Sequence, residues 1–203
     1  MTQSPLPIAV LISGGGRTLA NLIRHRDAFG LPIEVRLVIA SRDDIAGVDI
    51  ARAAGLRTMV IPKDRSMDDP SYSRAVFDPI RAVDARYVVM AGFLKHVMIP
   101  DDFENRVINI HPSLLPAFGG AGMYGDRVHD AVIRRNVALS GCTVHYVDNH
   151  YDNGPIIHQR WCEIAPDETA TSLAAKVFEL ECEALPKVLN DLASIYIDPD
   201  ATT

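Results

Sequence analysis

Asn109 and His111 stand two positions apart at the end of a short apolar run, and Pro112 follows them directly. Successive side chains of a β-strand point to opposite faces, so these two would project from the same face. Proline biases the preceding residue towards an extended backbone, which would hold His111 at the strand end. A carboxamide beside a titratable imidazole can stabilise a developing oxyanion and move a proton. An isolated pair of this kind is more often structural, so its context decides.

A glycine-rich turn, Ser13–Thr18, separates the first apolar run from the first helical periodicity. Glycines let backbone N–H groups approach an anion closely, and a helix N-terminus adds a favourable partial charge. The dinucleotide-binding fingerprint requires a further glycine at position 19, which is leucine here, and the Walker lysine is also missing. We therefore predict a site for a single phosphate, with a simple strand-to-helix turn as the alternative.

Asp152 begins the sequence Asp152-Asn153-Gly154, which is typical of a turn between two strands. An aspartate in such a turn is usually structural. It gains a catalytic interpretation if folding places its carboxylate beside His111, where it would stabilise and orient the charged imidazole. His145, on the preceding predicted strand, could support that carboxylate or could be a buried histidine with hydrogen-bond partners of its own.

Short apolar strands alternate with helical periodicities over the first half of the chain, and this alternation would position the motifs. The strands are predicted at Ile8–Ile12, Val35–Ala40, Thr58–Ile61, Tyr87–Ala91 and Val107–Ile110, with helices from about Leu19, at Ile45–Ala54 and at Tyr72–Val83. Such alternation predicts an α/β fold: a Rossmann-like, open, mostly parallel sheet with helices on both faces. Ligands of such sheets gather at the carboxyl ends of the strands.

After His111 the pattern changes to a long loop rich in glycine and proline, Pro112–Gly125, followed by a helix near Val128–Arg135. Loops of this length inside a domain are commonly functional. Two further strands, Thr143–Val147 and Pro155–Trp161, are predicted to form an antiparallel hairpin around the aspartate turn.

The last predicted helix is capped by Thr171 and extends to about Leu192, with a possible kink at Pro186. No linker or internal repeat separates it from the preceding elements. We expect one domain over residues 1–194 and a loose tail over residues 195–203.

The composition is that of a globular protein with an acidic balance. Among 203 residues, 20 are Lys or Arg and 26 are Asp or Glu, which gives a net charge of −6. This charge argues against a broad surface for nucleic acid or for an anionic membrane. No apolar run is long enough to span a bilayer. The three cysteines form no C-x-x-C pair, which favours neither a zinc site nor a disulfide framework. We predict a cytoplasmic protein.

Four ordered segments resemble the phosphoribosylglycinamide formyltransferases, a folate-dependent family of purine synthesis. They are Leu11–Gly16, Ala91–Lys95, Ile108–Pro116, and Thr143–Val147 taken with Asp152–Pro155. The third is highly specific to folate-dependent formyl transfer, and the resemblance extends over nearly the whole chain. It implies transfer of a formyl group from 10-formyltetrahydrofolate to the amine of glycinamide ribonucleotide, with no need for a metal.

The resemblance also implies the residues of the site. Asn109, His111 and Asp152 would be catalytic, with Asn109 and protonated His111 on the formyl oxygen and His145 in a supporting position. The ribonucleotide and its phosphate would contact Gly15, Gly16, Arg17, Thr18 and Glu181. The formyl-folate would lie along Leu94, Lys95, His96, Val97 and Asn109. Members of the family usually have a cis peptide at the position of Leu115-Pro116.

Some residues depart from the family pattern. The glycine loop of the family often reads Asn-Gly-Ser-Asn, where Gly15–Thr18 stands here, and Lys95 replaces a more frequent arginine. The loop after Pro116 lacks the usual Pro-Gly pair, which bears on loop closure. The basic residue that many relatives use for folate has three candidates in this chain: Lys63, Arg65 and Arg74.

Two alternatives remain open at this point. The same core can serve another formyl acceptor, namely water, methionyl-tRNA or a sugar amine. The hydrolase normally has an extra N-terminal domain, and the tRNA enzyme has an extra C-terminal domain. Neither extra domain is expected here. A non-catalytic nucleotide-binding module on the same scaffold would have no use for Asn109, His111 and Asp152 together. The sequence leaves open the oligomeric state and whether residues 118–125 are ordered without ligand.

Overall fold

The computed structural model describes residues 4–197, so part of the predicted C-terminal tail, residues 198–203, lies outside the described chain, as do residues 1–3. The strands are β1 (Leu6–Ile12), β2 (Ile33–Ala40), β3 (Thr58–Val60), β4 (Tyr87–Met90), β5 (Val107–His111), β6 (Leu139–Tyr146) and β7 (Ile156–Glu163). The helices are α1 (Arg17–Phe29), α2 (Ala46–Ala53), α3 (Asp69–Arg81), α4 (Asp126–Arg134) and α5 (Ala170–Ser194). A short 3₁₀ turn covers Asp101–Phe103.

The strands form one sheet in the order β3-β2-β1-β4-β5-β6-β7. The first five strands are mutually parallel, whereas β6 is antiparallel to β5 and to β7. The prediction of an open, mostly parallel sheet with a C-terminal antiparallel hairpin is thus confirmed. Because β1 and β4 are central, the segments that follow them meet at the same edge of the sheet as the end of β5.

Both faces of the sheet are covered, which explains why β1 is continuously apolar. The even-numbered side chains of β1, such as Ile8 and Val10, pack in a core with α1, α2, α4 and α5. Ala9 and Leu11 point the other way, into a second core with α3. Full burial of one such aliphatic side chain contributes roughly 1.5–3 kcal/mol. No helix among the described residues is both long and apolar enough to cross a membrane.

Two predicted helix starts are corrected by capping contacts. Helix α5 is capped by Thr169 and not by Thr171: the Thr169 hydroxyl accepts from the Ser172 backbone N–H at 3.1 Å, and Ser172 Oγ accepts from the Thr169 N–H at 3.1 Å. Helix α3 starts before Tyr72, because the Asp68 carboxylate accepts from the Ser71 N–H at 2.8 Å. A side chain that satisfies an orphan N–H fixes a helix start more strongly than apolar spacing does.

Helix α5 continues through Pro186, and a side chain from another helix compensates for the proline. Proline has no backbone N–H, so the carbonyl of Cys182, four residues earlier, loses its partner within the helix. The buried Asn21 of α1 donates from Nδ2 to this carbonyl at 2.9 Å. The contact fixes α1 against the part of α5 that carries Glu181.

The long loop after β5 is anchored to the hairpin by hydrogen bonds. Thr143 Oγ1 donates to the Ser113 carbonyl at 2.7 Å and accepts from the Leu115 N–H at 3.0 Å. Gln159 Nε2 donates to the Leu115 carbonyl at 3.0 Å. The Leu115-Pro116 peptide is cis, as in the family that the sequence resembles.

Candidate active site

The three motifs meet at the carboxyl-end edge of the parallel strands, around a cavity of about 280 Å³. The walls come from the segment after β4, the end of β5, the loop before α4 and the turn between β6 and β7. The predicted residues that line this cavity are Leu94, Lys95, His96, Val97, Asn109, His111, His145 and Asp152. The glycine loop and Glu181 do not line it.

His111 and Asp152 approach each other as the catalytic interpretation requires. The distance from His111 Nδ1 to Asp152 Oδ2 is 3.5 Å, and the imidazole is almost fully buried. On the other side of the ring, Nε2 donates to the Phe118 carbonyl at 2.9 Å. Both ring nitrogens thus face oxygen atoms that can only accept a hydrogen bond, a carboxylate on one side and a carbonyl on the other.

Asp152 is held in a left-handed backbone conformation with φ at +52°, which aspartate tolerates better than most residues. Its Oδ2 also accepts from the Gly120 backbone N–H at 2.9 Å. Neighbouring Gly119 leaves the space for this arrangement, since a Cβ there would lie 2.5 Å from Leu115 Cδ2 and 3.2 Å from Asp152 Cβ. The loop before α4 therefore contacts both members of the His111–Asp152 pair.

His145 lies directly opposite Asn109 in the β5–β6 ladder and contacts it. Its Nδ1 donates to the Tyr146 carbonyl at 2.8 Å, and burial lowers the pKa of this imidazole below its usual value. The ring is therefore neutral, and Nε2 accepts from Asn109 Nδ2 at 3.2 Å. The nearest Asp152 oxygen is 3.8 Å away. Of the two alternatives for His145, these hydrogen bonds favour a buried histidine with partners of its own, one of which is Asn109.

The glycine loop owes its geometry to close packing against α2. Gly16 has φ at +71°, and a Cβ at this position would lie 2.5 Å from the Gly47 Cα. The loop is also tied to its neighbours by the buried Ser13, whose Oγ accepts from Ser41 Oγ at 2.8 Å and from the Leu94 N–H at 3.0 Å. The first turn of α1 contains no acidic residue.

Arg17 and Glu181 lie beside each other at the start of α1. The Arg17 guanidinium stacks on the Phe178 ring of α5, 3.6 Å from its centroid. Burial raises the pKa of Glu181 to about 8, against the opposing effect of the Arg17 charge. This carboxyl is therefore largely protonated at neutral pH, and it can donate as well as accept a hydrogen bond.

The segment after β4, residues 93–99, has no regular secondary structure but is held by side chains of other elements. Met98 N–H donates to Ser73 Oγ at 2.7 Å, and Ile99 N–H donates to Asn149 Oδ1 at 2.7 Å. No hydrogen bond among the described residues engages the backbone N–H groups of residues 95–97.

Of the three basic candidates near this segment, Lys63 is the one that contacts it. Lys63 Nζ donates to the His96 carbonyl at 3.3 Å and also forms an ion pair with Asp69. Arg74 bonds to Ser71 on its own helix, and Arg65 is exposed. No group of three or more His, Cys, Asp or Glu within residues 4–197 is arranged to hold a metal ion.

Several contact residues of the site were not predicted. Phe118 and Gly120 contact His111 and Asp152 through backbone atoms, which carry no sequence signal. Ser13 was quoted only as part of the glycine loop, although its hydroxyl links that loop to the segment after β4. Asp69 and Asn149 lie outside the motifs, and only the folded chain brings them into contact with the segment after β4.

Comparisons with known proteins agree with one another. A family model described as "Formyl transferase" matches residues 6–189. The chain is 35% identical over 189 residues to the chloroplastic phosphoribosylglycinamide formyltransferase of Vigna unguiculata, covering 91% of this chain and 60% of the relative. The corresponding Arabidopsis thaliana protein is 34% identical over 177 residues, covering 86% and 61%. The chain thus spans about three fifths of the length of these two relatives.

A solved structure shows the same similarity in three dimensions. Glycinamide ribonucleotide transformylase 1 from Symbiobacterium toebii superimposes with a TM-score of 0.87 at 30% sequence identity. The match covers 97% of this chain and 92% of the solved one.

Proposed function

The chain belongs to the formyl transferase family, and on that premise we propose that it transfers the formyl group of 10-formyltetrahydrofolate to the amine of glycinamide ribonucleotide, N1-(5-phospho-D-ribosyl)glycinamide, in purine synthesis. The observation that carries this proposal is the meeting of Asn109, His111 and Asp152 at one cavity. The names of the plant relatives and of the solved transformylase support this acceptor.

The reaction exchanges one carbon–nitrogen bond for another. The neutral amine of the ribonucleotide attacks the formyl carbon, and negative charge collects on the formyl oxygen. The bond from that carbon to the folate nitrogen then breaks, and the proton lost by the amine ends on the folate nitrogen. Groups that hydrogen-bond the oxygen more strongly as it gains charge accelerate this step.

Asn109 and His111 are the donors for that oxygen. Asn109 Nδ2 uses one N–H on His145, which leaves the second N–H for the oxyanion. His111 Nε2 now donates to the Phe118 carbonyl, and an oxyanion is a stronger acceptor that can replace that carbonyl. Asp152 holds the imidazole in this orientation, and through water it can take part in moving the proton of the amine.

The ribonucleotide is assigned to the glycine loop and the adjacent face of α5. Backbone N–H groups at Gly15–Thr18 suit a phosphate, and Arg17 adds a positive charge close by. Glu181, protonated at neutral pH, suits a pair of sugar hydroxyls because it can both donate and accept. The formyl-folate is assigned to Leu94–Val97 and Asn109, which line the cavity.

Some accompanying assignments remain predictions of the sequence. They are the single domain over residues 1–194, the cytoplasmic location and the absence of nucleic-acid and membrane partners. The two plant relatives are named as chloroplastic. A hydrolase that passes the formyl group to water, on the same core, is the second candidate.

An absorbance assay of formyl-folate with and without glycinamide ribonucleotide tests the proposal. We expect loss of the formyl group only when the ribonucleotide is present. Loss at the same rate without it would favour the hydrolase, and no loss under either condition would favour a non-catalytic nucleotide-binding module.

A further inference from the structure

Two segments on opposite sides of the cavity are joined at its mouth. His96, on the segment after β4, and Tyr151, in the turn between β6 and β7, form a tilted ring pair with centroids 5.3 Å apart and planes at 48°. The hydrogen bond from the Ile99 N–H to Asn149 Oδ1 joins the same two segments. Both rings line the cavity, and Tyr151 immediately precedes Asp152.

The orientation of the His96 ring is fixed by charged groups of α3 and of the loop that precedes α3. Its Nδ1 lies 2.9 Å from Asp69 Oδ2, and Asp69 also forms an ion pair with Lys63. The hydrogen bonds from Lys63 and His96 hold the pKa of Asp69 below its usual value, so the carboxylate acts as an acceptor. Nδ1 therefore carries a proton, and the ring orientation is set independently of any ligand.

The backbone of Asp152 is in an unfavourable conformation that contacts from neighbouring segments must stabilise. Its positive φ of 52° is a conformation that side-chain-bearing residues rarely adopt, and it persists where the surroundings over-determine it. On one side, Gly120 and His111 hold the carboxylate. On the other side, the ring contact of Tyr151 with His96 restrains the backbone just before Asp152.

We propose that His96 is a positioning residue for formyl transfer: its ring, oriented by Asp69, packs on Tyr151 and keeps Asp152 directed at His111. This inference rests on the proposed function. It assigns to His96 a role through Tyr151 in addition to any contact with the donor. A displacement of about 1 Å in a catalytic group can lower the rate substantially.

A double-mutant cycle separates this role from independent contacts with the donor. His96→Ala and Tyr151→Ala are each expected to lower kcat by about two- to ten-fold, the range of a lost aromatic pair. The kcat of the double variant is expected to be no lower than that of the less active single variant, because each of the three variants lacks the same ring contact. The KM for the ribonucleotide should stay unchanged in each.

Two further variants control the cycle. His96→Phe keeps a ring against Tyr151 but loses the hydrogen bond to Asp69 that orients it, so it should recover part, and not all, of the kcat lost in His96→Ala. His25→Ala removes a matched ring pair, His25 with Phe29 at 5.1 Å and 48°, far from the cavity. It should leave kcat unchanged.

Hydrogen exchange of the backbone gives a readout that does not require turnover. His96→Ala should exchange faster than the wild type over residues 148–153, and His25→Ala should not. The inference would be overturned if the kcat losses of the two single variants multiplied in the double variant, or if His96→Ala exchanged at the wild-type rate. Either result is compatible with formyl transfer by the wild type. A wild type without any transfer would instead contradict the proposed function.

Discussion

His111 Nδ1 lies 3.5 Å from Asp152 Oδ2, at a point where the imidazole is almost fully buried and its Nε2 already donates to a carbonyl. Both ring nitrogens therefore face hydrogen-bond acceptors, and the N–H at Nε2 can be redirected to an oxyanion, which is a stronger acceptor than a carbonyl. This relationship connects the end of β5 with the turn that follows the next strand, β6. It is the structural basis of the proposed function.

Asn109→Ala should lower kcat by about 10²–10³-fold, because it removes one of the two donors for the formyl oxygen. The KM for the ribonucleotide should change little, since Asn109 lies away from the glycine loop. Steady-state kinetics of the purified variant, together with its Tm, measure both effects. A variant that folds normally and keeps full activity would exclude Asn109 from the oxyanion site.

His145 should contribute a pH dependence of stability on the acid side of neutrality. Burial lowers the pKa of His145 in the folded protein below 6.5, its usual value in an unfolded chain. As the pH falls below 6.5, this histidine therefore binds a proton more readily in the unfolded state than in the folded state. Stability from this group is therefore lost as the pH falls through 6.5. Urea unfolding of the wild type and of His145→Gln, compared between pH 5 and 8, should show a steeper acid loss for the wild type. Parallel curves would contradict the neutral assignment.

His145→Phe should also lower kcat while His145→Gln keeps most of it, because glutamine retains an acceptor for Asn109 Nδ2. We expect a loss of about ten-fold for the phenylalanine variant, corresponding to one hydrogen bond of about 1.4 kcal/mol. Equal kcat values in the two variants would show that His145 does not orient the carboxamide.

Glu181 should make the folded protein less stable as the pH rises, whereas His145 makes it less stable as the pH falls. Its folded pKa is raised to about 8 from 4.5, so the folded chain holds the proton between these values and stability falls as the pH rises through this window. Glu181→Gln removes that loss. The difference in Tm, variant minus wild type, should therefore increase from pH 5 to pH 8, by about 2–4 °C for each kcal/mol of unfolding free energy that the wild type loses. A constant Tm difference would refute the protonated carboxyl.

Asn21→Ala should destabilise the fold by about 1–3 kcal/mol, because the Cys182 carbonyl beside Pro186 would be left without a partner. Asn190→Ala, at an exposed position on α5, is the matched control and should change stability by less than about 0.5 kcal/mol. Chemical denaturation measures both. An equally small change in the two variants would mean that water or a helix shift satisfies the carbonyl.

Much of the fold was predictable because it follows from periodicity and local chemistry. The continuous apolar run of β1 and the alternation of strands with helices gave the parallel sheet, and Asp152–Gly154 gave the hairpin turn. The helix starts were less accurate, since capping by Thr169 or Asp68 depends on which hydroxyl or carboxylate meets an orphan N–H.

The catalytic trio was predictable from residue types together with the family resemblance, but its contacts were not. The partner of His145 follows from the antiparallel register of β5 and β6, which places it opposite Asn109. The contacts of Phe118 and Gly120 are made by backbone atoms in a loop whose course depends on tertiary packing. Asp69 reaches His96 only because the segment after β4 folds back onto the start of α3.

The most direct test follows an isotopically labelled formyl group from formyl-folate in the presence of glycinamide ribonucleotide, with the wild type and with Asp152→Asn. Our expectation is that the wild type places the label on the ribonucleotide amine, and that Asp152→Asn does so at least about 10²-fold more slowly while still binding both substrates. Label released as formate, or equal transfer by the two proteins, would contradict it.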